Sequence, residues 1–252
     1  GNYVLANGSS ITLSGAATVN QRVIELDVSG TRAYDGTDIL DADLTTLSVT
    51  NLVAGDELSV NFDLAVGADA DAPVATFASD NAGTHSLTVN VADLFIDGSA
   101  ADNYTLVDAG TATTYSSATG GVISKAELTL SGVVVTDKVY DTTTTTTAFD
   151  NTGSIDVAGL IGTETVTLVD TGATATFADA NVGQDKAVTL GGWTLSDGDN
   201  NGLASNYTIV FPTDVTGNIT PAQLTLGGIT AEDKVYDGTN AATLDGTAEV
   251  TA

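Results

Sequence analysis

Catalysis usually recruits His, Cys, Lys or a metal held by them, and this chain offers one His and no Cys in 252 residues. His85 sits in an alternating run, His85-Ser86-Leu87-Thr88-Val89-Asn90-Val91, and the matching place later in the chain, near Asp185, holds no His. Carboxylates are plentiful, but among 33 acidic residues their proximity says nothing about paired acid–base work. No Gly-rich loop follows a strand and opens a helix, so nucleotide binding has no support. One run has the spacing of a cation loop: Asp197-Gly198-Asp199-Asn200-Asn201-Gly202. Alternating oxygen ligands followed by a turn-making Gly is how a short loop wraps calcium. Asp197, Asp199 and Asn201 are therefore candidate calcium ligands, and calcium is the one cofactor the residues suggest. Against this, the twelfth place is Thr208, where an EF-hand has a bidentate Glu. The corresponding earlier loop, Asp97-Gly98-Ser99-Ala100-Ala101-Asp102, keeps only part of the pattern, and a solvated turn is the simpler reading. Asp69, Asp71 and Asp80 form a weaker second set. Lys138 and Lys234 recur in one motif and raise the idea of an intramolecular Lys-to-Asn bond, with a salt bridge to Asp as the plainer role. No residue is assigned to catalysis, and the chain is not expected to be an enzyme.

The elements that carry these residues repeat. Asp-Lys-Val-Tyr-Asp occurs at 137 to 141 and again at 233 to 237, and a looser copy is Arg32-Ala33-Tyr34-Asp35-Gly36. The Tyr-Asp boxes lie 106 and 96 residues apart, a domain-sized period. Within each period the landmarks keep their order. Phe77-Ala78-Ser79-Asp80-Asn81 matches Phe177-Ala178-Asp179-Ala180-Asn181, Asn103-Tyr104-Thr105-Leu106 matches Asn206-Tyr207-Thr208-Ile209, and Ile123-Ser124-Lys125-Ala126 matches Ile219-Thr220-Pro221-Ala222. Gaps inside a period vary, as surface loops do, whereas the junctions from Ile123 to Tyr140 and from Ile219 to Tyr236 both span 17 residues. Gly1-Asn2-Tyr3-Val4-Leu5 looks like an Asn-Tyr box. We therefore read a tail of one module (1–19), two whole modules (20–124 and 125–222) and the head of another (223–252), an excerpt from a longer tandem array.

Period-two alternation marks strands at Leu58–Phe62, His85–Val91, Thr165–Val169, Ala187–Leu190 and Gln223–Leu226. Thr and Val, stiff at the first side-chain torsion, dominate these runs, and Gly and Asp punctuate them. No helical stripe is sustained; short helical turns are expected at most near Asn51–Asp56 and Val157–Gly162. The fold class is all-β, tandem β-sandwich-like modules in an elongated array. Phe77 and Phe177 are expected as core anchors, Trp193 as a core residue rather than an exposed sugar-stacking platform, and Asn103 and Asn206 as turn residues. The rings of Tyr34, Tyr140 and Tyr236 are expected to plug a module end while the following Asp bonds its own turn.

A formal charge of −27 repels nucleic acid and anionic membrane, so neither is an expected partner. Only six of the acids are Glu, and Asp is the one that closes turns. Without Cys, stability comes from core burial, for which modules of about 100 residues are large enough.

The succession Lys-Val-Tyr-Asp, Phe-Ala-Asp-x-Asn-Val-Gly, Asn-Tyr-Thr and Ile-Thr-Pro-Ala is similar to the YDG repeat domain of large bacterial surface proteins. The match is close over Asp137–Ala222 and Glu232–Thr239 and looser in the first module. The second box departs in having Thr142 where Gly is usual. The resemblance implies a stalk or extender array in an extracellular or cell-surface adhesin, like filamentous-haemagglutinin-like exported proteins, with no catalytic residues to carry over. Its expected partners are neighbouring modules of the same chain, with copies of itself, bridged by calcium into filaments or a coat, or surface glycans as alternatives.

Overall fold

A computed structural model of the chain describes residues 18–63, 73–106, 113–150 and 155–251. The Asn-Tyr box at Asn2-Tyr3 and the candidate ligands Asp69 and Asp71 lie outside them. The described residues are all-β with a few single 3-10 turns and no α-helix, and the chain divides into two compact units at Ser124/Lys125.

The first unit contains β1 (Arg22–Val23), β2 (Leu26–Ala33), β3 (Ile39–Asp41), β4 (Thr45–Val49), β5 (Ser59–Phe62), β6 (Pro73–Phe77), β7 (Gly83–Asn90), β8 (Leu94–Asp97), β9 (Tyr104–Thr105) and β10 (Thr114–Ser124). Six of them form one sheet in the order β3-β6-β7-β10-β2-β4, and β1-β9 and β5-β8 pair separately. The final strand β10 lies parallel to β2, with Gly121 opposite Gly30 and Ile123 opposite Arg32. Val28, Leu40, Phe77, Leu87, Val89 and Ile123 turn inward and are buried.

The second unit repeats this plan in β11 (Ala126–Ser131), β12 (Lys138–Val139), β13 (Thr145–Thr146), β14 (Asp156–Ala158), β15 (Val166–Val169), β16 (Thr174–Phe177), β17 (Gly183–Gly191), β18 (Thr194–Asp197), β19 (Tyr207–Val210) and β20 (Thr216–Thr220). The sheets are β12-β20-β17-β16-β13, β14-β11-β19 and β15-β18. Again the two opening strands run parallel to the two closing ones: β11 with β19 (Ala126 opposite Tyr207) and β12 with β20 (Lys138 opposite Ile219). In β11 the alternation is complete, with Ala126, Leu128 and Leu130 buried and Glu127, Thr129 and Ser131 exposed. Phe177, Val188 and Ile219 of one sheet pack with Trp193 and with Leu168 and Ile209 of the others, the two-layered core of a sandwich. Trp193 is 5% exposed and meets Phe149 edge-on at 4.7 Å, which leaves no face for a sugar to stack on.

The closing strand carries a Gly under each core Phe. A Cβ on Gly121 would stand 2.6 Å from the Phe77 ring, and one on Gly217 3.0 Å from the Phe177 ring. The expected helical turns are reverse turns instead, closed by Asp56 N–H to the Val53 carbonyl and by Glu164 N–H to the Ile161 carbonyl, both 3.0 Å. Gly55 and Gly162 take positive φ there, which stops a helix from propagating.

Beyond residue 222 the chain starts the plan again with β21 (Thr225–Gly227), β22 (Thr230–Ala231), β23 (Leu244–Asp245) and β24 (Glu249–Thr251), paired β21-β24 and β22-β23. Every residue from 223 to 251 is exposed.

Candidate functional site: the Tyr-Asp box and the tyrosine clasp

The motif that recurs three times builds one local structure three times. Asp35, Asp141 and Asp237 each accept, through Oδ1, the N–H and the hydroxyl of the Thr two residues on, at 2.8 to 2.9 Å. The same carboxylates pair with the cation three residues back, Arg32, Lys138 and Lys234, the last at 2.8 Å. The residue between Asp and Thr must take positive φ: Gly36 at 79°, Gly238 at 78° and, against steric preference, Thr142 at 71°. The left-handed turn is thus kept where Gly is lost, and a β-branched residue carries its strain.

These bonds hold the carboxyls ionised. The Lys138 ammonium, then the Thr143 N–H and hydroxyl, lower Asp141 to about 2. Asp237 is lowered in the same way by Lys234 and Thr239. At Asp35 burial pushes up, and the bonds from Arg32 and Thr37 more than offset it. A carboxylate paired with an ammonium is a salt bridge and a poor starting point for amide formation, so the plainer role holds for Lys138 and Lys234. Ring burial is not constant across the boxes: Tyr34 is 5% exposed, Tyr140 40% and Tyr236 92%, so the expected plug applies to Tyr34 alone.

The Asn-Tyr box builds a feature that sequence inspection missed. Tyr104 Oη donates to Asp56 Oδ2 at 2.7 Å and accepts the Val53 N–H at 2.9 Å. Tyr207 Oη donates to Glu164 Oε2 at 2.7 Å and accepts the Ile161 N–H at 3.1 Å. Both rings are buried, and burial, reinforced by the carboxylate acceptor, raises both hydroxyl pKa values. Each tyrosine thus clasps the reverse turn that leads into the next strand. The signal was present in Gly55-Asp56 and Gly162-Thr163-Glu164, but the Gly shifts by one place between modules and the acid, three residues after Val53 and Ile161, changes type. The preceding Asn differs as well: Asn103 is an exposed turn residue, whereas Asn206 is fully buried.

His85 is also placed more sharply by the ladder. It stands opposite Gly121, as Lys186 stands opposite Gly217, so its counterpart is Lys186; Asp185, at φ 50°, is an inserted bulge residue. His85 Nε2 lies 2.7 Å from the Asn81 carbonyl and Lys186 Nζ 2.7 Å from Asp179 Oδ1, so both side chains brace the Phe-Ala turn.

The loop 197–202 is fastened by its own polar groups. Asp197 Oδ1 accepts the Ala204 N–H at 2.8 Å. The Asp199 carbonyl accepts the Thr165 and Gly202 N–H groups, both at 3.1 Å, and its N–H donates to Thr165 Oγ1 at 2.7 Å. Asn200 and Asn201 both take left-handed backbone, and the Asn200 amide donates to the Thr163 carbonyl. The set of Asp69, Asp71 and Asp80 has two members outside the described residues, and among the described residues no three His, Cys, Asp or Glu side chains converge.

Two repeats of one strand plan, each opened by a Tyr-Asp box and closed by a parallel strand, agree with the comparison to known families. The YDG domain matches residues 17–115 and again 124–216. The chain belongs to the YDG domain family. No curated protein and no solved structure matched it. Among the described residues of these YDG domains, the repeated polar clusters serve turns and strand ends. No helix among them is long and apolar enough to cross a membrane, which leaves strand-built spans unaddressed.

Proposed function

We propose that these YDG domains are extender modules of a secreted or surface-attached bacterial adhesin, holding a distal binding domain away from the cell without catalysis. One observation carries the reading: in each module the closing strand is a parallel neighbour of the second strand, β10 of β2 and β20 of β12. Strands that point the same way receive the chain at one end of the module and release it at the other. Eight extended residues, as in β2, advance the chain by about 26 Å. A module whose ends were antiparallel neighbours would return the chain to where it began. The box turns and tyrosine clasps fit this role because they fasten turns and strand ends within each module. In this reading the Asp197–Gly202 loop is a fastened turn, and calcium is not required for the modules to fold.

The test is replacement within a cell-surface protein that carries these modules. Deleting them is expected to abolish adhesion of the displayed domain, and an unrelated rigid spacer of equal length is expected to restore it. A spacer that fails as completely as the deletion would show that these modules bind something themselves.

A further inference from the structure

We propose that Asp97 and Asp245 are sites of spontaneous isoaspartate formation, set by the fold to react with the backbone nitrogen of the glycine that follows each of them. This does not rest on the extender reading. Five Asp-Gly pairs lie among the described residues, beginning at Asp35, Asp97, Asp197, Asp237 and Asp245. As dipeptides they share one chemistry, because a glycine leaves its nitrogen unshielded by a Cβ. The structure separates them by what each carboxyl and each nitrogen is bonded to. Asp35 and Asp237 accept the N–H and hydroxyl of Thr37 and Thr239 and pair with Arg32 and Lys234. Asp197 accepts the Ala204 N–H, and the Gly198 N–H is donated to the Gly202 carbonyl at 2.9 Å. In the other two pairs the glycine N–H points at the neighbouring carboxyl itself, Gly98 at Asp97 Oδ1 and Gly246 at Asp245 Oδ1, both at 2.8 Å.

Asp97 and Asp197 are sister residues of the two modules. Each ends the strand paired with β5 or β15, Asp97 opposite Ser59 and Asp197 opposite Val166. Each following glycine is hemmed in by backbone: a Cβ on Gly98 would meet the Glu57 carbonyl at 2.8 Å, and one on Gly198 the Thr165 carbonyl at 2.2 Å. Both places therefore demand Gly, and the pairs differ in how they are fastened. At Asp97, which is exposed, Cγ lies one bond beyond the oxygen that the nitrogen already touches, and the N–H proton points at that oxygen. Reacting atoms held this way need little rearrangement. From the neutral carboxyl, the Gly98 nitrogen bonds to Cγ as the Cγ–Oδ1 bond breaks. The oxygen departs as water with the N–H proton and the carboxyl proton. Water then opens the cyclic imide. Adding at the backbone carbonyl carbon of Asp97, it breaks that carbon's bond to the nitrogen, leaving the chain to run through Cβ and Cγ beside a free α-carboxylate; adding at Cγ, it restores Asp97. Water is the sole co-reactant. The isoaspartyl link lengthens the backbone by one atom beside the Ser59 pair, and its new carboxylate is of the class that S-adenosylmethionine-dependent methyltransferases esterify.

Peptide mapping of the full chain after long incubation in mildly acid buffer tests this, with isoaspartate marked by enzymatic methyl transfer from S-adenosylmethionine. In the folded chain, isoaspartate at 97 and at 245 should each exceed that at 35, 197 or 237 by about tenfold or more, a modest share of what holding reacting atoms in place can supply. In urea the contacts are gone, and the five pairs should come to similar levels. Asp97→Glu, which could close only a larger ring, should lose the product at 97 and keep the one at 245, which assigns the signal. A folded chain with no isoaspartate at 97 or at 245, or with no more there than at the three fastened pairs, overturns the proposal. So does an excess at 97 and 245 that persists unchanged in urea, since it would owe nothing to the fold.

Discussion

At the scale of single residues, Thr142 is where the fold departs most from local preference. A β-branched residue at φ 71° stands where the sister boxes have Gly, and left-handed backbone costs a residue with a Cβ roughly 1–2 kcal/mol. Thr142→Gly, which also frees the unfolded chain, is expected to raise stability by about 1 kcal/mol, read as a higher Tm in thermal melts; an unchanged or lower Tm would place the strain elsewhere. The adjacent Asp141 adds a pH dependence. Its folded pKa of about 2 lies below the unfolded 3.8, so its contribution is complete above about 4 and is lost as pH falls through 2. Asp141→Asn keeps an acceptor for the Thr143 N–H but cannot titrate. The Tm difference between wild type and Asp141→Asn should therefore shrink between pH 4 and pH 2, and a difference constant over that window would contradict the assignment. The box was legible as a turn because Asp bonding two residues ahead is a local matter. That Thr142 would hold the turn was not, since the surrounding pairs decide it: Asp141 with Lys138, and Tyr140 N–H with the Thr220 carbonyl.

At the scale of strands and turns, local alternation located β5, β7, β15, β17 and the start of β21, because a half-buried strand writes its period into neighbouring residues. Pairing between distant segments leaves no such period. The parallel closure of β2 by β10, across some 90 residues, and the tyrosine clasps joining positions 46 to 51 apart were therefore hidden. Both can be probed by substitution. Tyr207→Phe removes the bond partner of the Ile161 N–H and the donor to Glu164, with an expected cost of about 1–3 kcal/mol. Urea titration of the variant would check this, and a midpoint within error of wild type would deny the clasp a structural role. Gly121→Ala drives a methyl against the Phe77 ring and is expected to cost about 1–3 kcal/mol by overpacking, whereas Gly227→Ala, with open space around it, should be nearly neutral. Equal effects of the two would mean that the Phe does not sit on the closing strand.

At the scale of the whole molecule, the box order showed two copies of one module before any pairing was known, and all-β character followed from alternation without helical stripes. Function was less legible, because the feature on which the proposed extender role rests, a plan that hands the chain from one end of each module to the other, lies in pairing between distant segments. Removing calcium with a chelator should leave the melting temperature unchanged, since the 197–202 loop is closed by protein bonds; a clear drop would restore Asp197, Asp199 and Asn201 as ligands. The claim that the modules span distance is tested most directly by small-angle scattering of the 252-residue chain, extrapolated to zero concentration so that self-association does not contribute. A compact globule of this length has a radius of gyration of about 18 Å. An extender requires a value well above that with an elongated distance distribution, and a value near 18 Å with a single symmetric peak would contradict it.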